Sequence, residues 1–125
     1  MPVSVRYIVH DVDAAIAFYT GIGFKVDMHP APGFAALSRG ELRLLLNRPG
    51  AGGAGQAMPD GTSPAPGGWN RIQIEVSDIF GIVESLKSSG TRFRNPIVEG
   101  NGGKQALIED PSGNPVELFE PKKGS

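Results

Sequence analysis

The stretch DPSGNPVELFEP, residues 110–121, decides the fold of this chain. Its first half has the composition of a tight turn, and its second half predicts a short apolar strand that carries one carboxylate, Glu117. An acidic side chain in an apolar strand is costly to bury without a partner. Three roles are therefore open for Glu117: it ligates a metal ion, it pairs with another side chain, or it faces water.

Length and composition indicate a single compact domain. The chain has 125 residues, with 12 basic and 13 acidic side chains and a formal net charge of -1. This balance creates no field that would attract nucleic acid or an anionic membrane. Cysteine is absent, which excludes disulfides and thiolate chemistry. No signal peptide and no membrane-spanning run is recognisable, so we expect a soluble, cytoplasmic protein.

A segment rich in glycine and proline divides the chain into two halves. Residues 49–68 contain 7 Gly and 4 Pro, which predicts a long structureless connection rather than a helix or strand. A connection of this length is either a lid over a site or a spacer. We therefore place module 1 at about 1–48, the linker at 49–68 and module 2 at about 69–121.

The two halves repeat one pattern. Residues 3–9 and 71–76 alternate apolar and polar side chains, as half-buried strands do. A helix follows each strand, with Asp11 as the N-cap candidate in the first half and Ser77 or Asp78 in the second. Three strand-like pieces then follow each helix: FKVDM, GFAALS and ELRLLLN, and later TRFRNPIVE, KQALIED and NPVELFE.

Each half thus reads as a βαβββ module, and the fold class is α+β. About 50 residues are too few to bury a core alone, so the modules must pack together, within one chain or across a homodimer. One face of each strand set lies under the helix. We expect the other faces to line concave clefts.

These features resemble the glyoxalase, bleomycin-resistance and extradiol-dioxygenase superfamily, the vicinal oxygen chelate proteins. The stretches VHDVDAAIAFYTGIGFKV and IEVSDIFGIVESLKSSGTRF look like the first strands and helices of its two modules, and IEDPSGNPVELFEP looks like its closing turn and strand. The resemblance implies the paired-module fold. It does not choose a chemistry, because members include lyases, isomerases, dioxygenases, transferases and proteins that only bind a drug.

The resemblance also implies where metal ligands would lie, and only one position keeps a ligand type. The two first-strand positions, seven residues before Asp11 and Asp78, fall on Ser4 and Arg71. The strand-end positions fall on Leu45, or Leu44 in the alternative alignment, and on Glu117. An arginine cannot coordinate a cation, and one donor cannot hold one. We therefore predict no metal and no cofactor, and an ion pair between Arg71 and Glu117 or a ligand contact from Glu117.

The strand faces opposite the helices supply the predicted ligand contacts. Strand parity places Arg43, Leu45 and Asn47 on one face of their strand. Trp69 shares the parity of Arg71 if the strand is extended backwards. Its ring could stack on a planar ligand, with Arg71 or Arg43 adding a cation–π contact. Alternatively, the Trp69 ring packs in a core or in a dimer interface. The predicted ligand-binding residues are Ser4, Arg6, Phe34, Arg43, Leu45, Asn47, Trp69, Arg71, Gln73 and Glu117.

The function that fits best is metal-independent binding. We expect a homodimer that confers resistance by sequestering a bulky, partly aromatic antibiotic or similar metabolite, without catalytic residues. One alternative is a glyoxalase-like lyase, isomerase or dioxygenase with an atypical metal site, or a metal-free enzyme that uses Glu117 as its base. Another is a protein that keeps the fold only for subunit assembly.

Overall fold

The computed structural model describes residues 2–123, which divide into two compact units between Gly67 and Gly68. The first unit contains β1 Ser4–Ile8, α1 Val12–Gly21, β2 Lys25–Ala31, β3 Phe34–Arg39 and β4 Leu42–Asn47. The second unit contains β5 Ile72–Glu75, α2 Ile79–Ser88, β6 Arg92–Phe93, β7 Val98–Glu99, β8 Gly103–Glu109 and β9 Pro115–Pro121. The predicted α+β fold of two βαβββ modules is confirmed.

Both helices begin at aspartate N-caps. The Asp11 carboxylate accepts a hydrogen bond from the backbone N–H of Ala14 at 3.1 Å, and Asp78 accepts one from Gly81 at the same distance. Each bond satisfies an N–H group that the first helical turn leaves without a partner. Of the two cap candidates for the second helix, Asp78 is the one used. Within residues 2–123, neither helix is long and apolar enough to cross a membrane.

The two sheets share one strand arrangement. In the first unit the order is β1-β4-β3-β2, with β1 parallel to β4. In the second unit the order is β5-β9-β8-β6, with β5 parallel to β9 and β7 also paired to β8. A parallel pair needs a crossover, and in both units the helix and the remaining strands provide it.

One face of each sheet packs under its own helix. In the first unit Tyr7, Leu44 and Leu46 are buried, and the Tyr7 ring meets the α1 ring of Tyr19 edge to face at 6.3 Å. In the second unit the buried residues on this face include Ile72, Ile74, Val116 and Leu118. Burial of each such side chain contributes about 1.5–3 kcal/mol. The opposite face of each sheet is called its outer face below.

The turn before β9 is built around Asp110. Its Oδ1 accepts the backbone N–H groups of Ser112 and Asn114, each at 2.9 Å, and its Oδ2 accepts the Asn114 side-chain amide at 3.0 Å. Asp110 is fully buried, so these bonds stabilise a carboxylate that would otherwise be costly to bury. The turn thereby fixes where β9 begins, and with it the position of Glu117.

Two strand predictions are wrong in detail. TRFRNPIVE does not form one strand, because Pro96 has no N–H to donate and the Asn95 side chain instead accepts the N–H of Leu107 at 2.8 Å. Only the short strands β6 and β7 remain on either side. The backward extension of β5 is also absent, since β5 begins at Ile72 and Trp69 precedes it.

Candidate functional site

Six of the predicted ligand contacts lie on the outer face of the first sheet. The strand register places Arg6 beside Leu45 and Phe34 beside Asn47. Since paired residues point to the same side of a sheet, these side chains share a face with the exposed Arg43. The six predicted contacts on this face are Ser4, Arg6, Phe34, Arg43, Leu45 and Asn47.

A groove of about 580 Å³ opens at one end of this outer face. It is lined by Arg6, Phe34, Asn47, Arg48 and residues 30–33 and 51–54. Arg6 donates a hydrogen bond from Nη1 to the side-chain oxygen of Asn47, and the Asn47 amide donates to the Ala51 carbonyl at 3.4 Å. Asn47 is 3% exposed. This buried amide therefore orients the Arg6 guanidinium and ties the end of β4 to the following loop.

The loop that walls the groove is the first part of the glycine-rich segment. The Ala51 N–H donates to the Arg48 carbonyl, and the Gly55 N–H donates to the Ala51 carbonyl, both at 3.0 Å. A Cβ on Gly55 would lie 2.5 Å from the Ala51 carbonyl oxygen, and one on Gly33 would lie 2.5 Å from the Ala51 Cβ. Glycine at these two positions permits the close approach. The segment has no helix or strand, as predicted, but it is not structureless.

In the second unit, three predicted residues form one hydrogen-bonded group. Arg71 donates from Nε to Glu117 Oε1 at 3.0 Å, and its Nη2 lies 3.0 Å from the same oxygen. Gln73, in register with Glu117, donates to Oε2 at 2.6 Å. Glu117 is 8% exposed. The predicted pairing of Arg71 with Glu117 is confirmed, and it satisfies the buried carboxylate of the last strand.

Arg94 is a central residue of the second unit that the sequence reasoning missed. It donates to Glu109 Oε2 at 2.8 Å, to the Gly68 carbonyl at 2.7 Å and to the Gly113 carbonyl at 2.9 Å. Its guanidinium carbon also lies 4.7 Å from the ring centre of Trp69. Arg94 therefore connects β6, the turn before β9 and the segment leading into β5.

Trp69 differs from its predicted setting. Its residue surface is 69% exposed, so it is not a core residue. Arg94, rather than Arg71 or Arg43, supplies the cation that stacks on the ring. Arg71 contacts Trp69 only through a hydrogen bond to its carbonyl at 3.4 Å. Alternation in TRFR places Arg94 on the same side of the strand as Arg92, and Arg92 pairs with Glu109 across the sheet. This pattern indicates that Arg94 also lies on the outer face, near Glu109.

Comparison with models of protein families assigns the chain to a superfamily. The model of the Glyoxalase/Bleomycin resistance protein/Dioxygenase superfamily matches residues 2–118. The chain belongs to this superfamily. No protein in a search of curated proteins matches the chain.

Solved structures share the fold across almost the whole chain. A member from Sphaerobacter thermophilus has 25% identity and a TM-score of 0.74, and the match covers 96% of each chain. TnmS3, an antibiotic binding protein from Streptomyces, has 22% identity and a TM-score of 0.71, with 98% of this chain and 96% of that chain covered. Lactoylglutathione lyase from Agrobacterium tumefaciens has 20% identity and a TM-score of 0.72, with 96% and 92% covered.

The residues at the superfamily's metal-ligand positions do not fit a metal ion. Ser4 and Leu45 provide no strong donor, Arg71 is a permanent cation, and both Glu117 oxygens already accept hydrogen bonds. Within residues 2–123, no three His, Cys, Asp or Glu side chains lie close enough together to hold a metal. The donor chemistry at these positions is therefore that of an ion pair, not of a metal centre.

Proposed function

We propose that this protein is a metal-independent binding protein that sequesters a bulky, partly aromatic small molecule of the antibiotic class. The observation that carries the proposal is the engagement of Glu117 by Arg71 and Gln73 at 3.0 and 2.6 Å. A metal ion or a proton transfer would need this carboxylate, so its occupation favours binding over catalysis. Resistance would then come from affinity, with a Kd in the nanomolar range, about -12 kcal/mol.

The groove of the first unit is the proposed seat of the ligand. Its volume of about 580 Å³ falls in the range of small-molecule pockets, roughly 300–1,000 Å³. Phe34 offers an aromatic wall, and Arg6 and Arg48 offer hydrogen-bond donors. The other predicted contacts on this sheet, Ser4, Arg43 and Leu45, extend the same face. Trp69, Arg71, Gln73 and Glu117 are the predicted ligand contacts that lie in the second unit, and they stay a prediction about that unit by itself.

The solved relatives support binding without deciding it. One is an antibiotic binding protein and another is a lactoylglutathione lyase, at nearly equal TM-scores. The fold is thus compatible with both functions, and the side chains must discriminate between them. A glyoxalase-like lyase, isomerase or dioxygenase would require Glu117 to leave both of its partners. Assembly as a homodimer and a cytoplasmic location belong to the same proposal, and light scattering of the purified protein tests the dimer.

The test combines metal analysis with ligand screening. We expect purified protein to contain no stoichiometric metal, and its Tm to rise with a member of an antibiotic panel equally with and without chelator. A ligand at 100 times its Kd adds about 2.7 kcal/mol of stability, which a thermal shift detects readily. One equivalent of bound Fe, Mn, Ni or Zn, together with a turnover that Glu117→Gln abolishes, would overturn the proposal.

A matched pair of variants locates the ligand. Phe34 lines the groove, whereas Phe80 is an exposed phenylalanine on α2, 56% accessible. We expect Phe34→Ala to weaken binding of the screened ligand at least tenfold, about 1.4 kcal/mol, and Phe80→Ala to leave it unchanged. Circular dichroism confirms that both variants fold. Equal affinities for the two variants would place the ligand outside the groove.

A further inference from the structure

The charged side chains that line the groove of the first unit are all of one sign. Two arginines, Arg6 and Arg48, line the groove, and none of its lining residues is acidic. A cationic lining without a counter-charge raises the local concentration of anions. We propose that this groove recognises an oxyanion on the ligand, so that the bound class is an aromatic molecule with a carboxylate, phosphate or sulfate group. This inference rests on the proposed binding function and narrows its ligand.

The arginines of the two units differ in their partners. In the second unit Arg71, Arg92 and Arg94 each lie within 4.0 Å of a carboxylate. In the described part of the first unit, no ion pair involves an arginine; its salt bridges are Lys25 with Asp27 and Asp13 with His29. The groove guanidiniums are therefore not neutralised by the protein itself. An anionic ligand would supply the missing charge.

The Arg6 guanidinium is held in place before any ligand arrives. Asn47 is buried, accepts from Arg6 Nη1 and donates to the Ala51 carbonyl. The backbone N–H of Arg48 donates to the Gly33 carbonyl at 2.9 Å, which fixes the start of the loop. A guanidinium fixed in this way loses less side-chain entropy when it forms a paired hydrogen bond to an oxyanion.

Backbone donors of the glycine-rich loop add to the same wall. Gly52 and Gly53 line the groove, and within residues 2–123 their N–H groups donate to no backbone carbonyl. Backbone N–H groups in turns are common partners of anions. The loop lacks the strand and helix of a nucleotide-binding motif, so the inference concerns one oxyanion and not a nucleotide. Phe34, in register with Asn47, places an aromatic contact next to these donors.

Three probes that share a naphthalene ring and differ in charge test the inference. Naphthoate, naphthyl phosphate and the neutral naphthamide are titrated by calorimetry at low and high salt. We expect one or both anions to bind at least tenfold more tightly than the amide at low salt, about 1.4 kcal/mol, and the difference to shrink as salt rises. The preferred anion distinguishes a carboxylate from a phosphate site.

Three variants with the same charge change locate the effect. We expect Arg6→Gln and Arg48→Gln each to reduce the anion preference several-fold. Arg39→Gln, which removes a charge from the same unit outside the groove, leaves the preference intact. Arg48 is exposed, so its variant is expected to fold even if Arg6→Gln does not. Loss of the preference in Arg39→Gln alone, or in all three variants equally, would overturn the inference.

The outcomes separate this inference from the proposed function. Equal affinity for naphthoate, naphthyl phosphate and naphthamide overturns the oxyanion preference while the protein remains a binding protein. Tight binding of a neutral or cationic antibiotic would also overturn the oxyanion preference alone, if Phe34→Ala weakens that binding and Arg48→Gln does not. Binding of neither the probes nor any antibiotic overturns both statements.

Discussion

The outer faces of the two sheets carry the same strand register with different chemistry. Arg6 lies beside Leu45 in the first unit, and Gln73 lies beside Glu117 in the second. The two pairs occupy corresponding positions of the repeated module. Because the first unit has leucine where the second has glutamate, its arginine has no acid opposite it and instead donates to Asn47.

The difference shows that one position decides whether the polar side chains of an outer face are paired within the sheet or keep donors for a ligand. In the second unit Glu117 is bound by Arg71 and Gln73, so its charge is used within the sheet. In the first unit Arg6 donates one N–H group to Asn47. Because a guanidinium has five N–H groups, the groove arginines retain donors for a ligand. We therefore expect substitutions in the second unit to affect mainly stability, and substitutions in the groove to affect mainly binding.

The largest effect on stability should come from Arg94→Ala. Its side chain is 16% exposed, and its removal takes away the donor to Glu109 Oε2 and to the carbonyls of Gly68 and Gly113, while Arg92 stays 3.8 Å from Glu109 Oε1. We expect a loss of about 3 kcal/mol in the free energy of unfolding, measured in urea. Arg43→Ala, an exposed arginine of the first sheet, is the control and should change stability by less than about 0.5 kcal/mol. Equal losses would remove the contrast between the units.

A double-mutant cycle on Arg71 and Glu117 should give the next largest effect. Arg71→Ala leaves the Glu117 carboxylate, 8% exposed, with Gln73 as its remaining side-chain partner. We expect a loss of about 2 kcal/mol, smaller than for a fully buried pair because Arg71 is 30% exposed. Glu117→Gln in the Arg71→Ala background should cost far less than it does in the wild type. Additive losses would mean that the pair contributes no coupling.

Local chemistry explains what the sequence predicted correctly. The caps Asp11 and Asp78 act within three residues, and strand alternation needs no knowledge of the partner strand. The pairing of Arg71 with Glu117 was predictable because both fall on ligand positions of the superfamily. An arginine that faces a lone carboxylate forms an ion pair with it. Parity within a strand predicts that Ser4 and Arg6 share a side, and that Arg43, Leu45 and Asn47 do. The register between the strands, which the structure supplies, brings both sets and Phe34 onto one face.

Long-range packing explains what was missed. Arg94 bonds to groups 15, 19 and 26 residues away. Alternation in TRFR indicates which side of the strand Arg94 faces, but it does not indicate the carbonyls of Gly68 and Gly113 as partners. The glycine-rich loop was interpreted as structureless because composition does not reveal which N–H groups find a carbonyl. Its role as the groove wall depends on the close approach of Ala51 to Gly33, which only the folded unit creates.

The smallest expected effect concerns a turn in the later part of the glycine-rich segment. The Thr62 N–H donates to Asp60 Oδ1 at 2.9 Å, and this bond, with a further one from the Thr62 side chain, lowers the pKa of Asp60 below its ordinary value of 3.8. A carboxyl group whose pKa is lower in the folded state stabilises that state above pH 3.8, and the contribution is lost as the pH falls through the lowered pKa.

NMR titration of the Thr62 amide checks this effect. We expect its chemical shift to titrate with a midpoint below 3.8, and Asp60→Asn to abolish that titration without changing the groove. Asp60 is exposed, and two backbone bonds hold the same turn: the Met58 N–H donates to the Thr62 carbonyl at 2.7 Å, and the Gly61 N–H donates to the Met58 carbonyl at 2.8 Å. A midpoint at or above 3.8 would mean that the Thr62 hydrogen bonds do not stabilise the Asp60 carboxylate in solution, and that this turn contributes no pH-dependent stability.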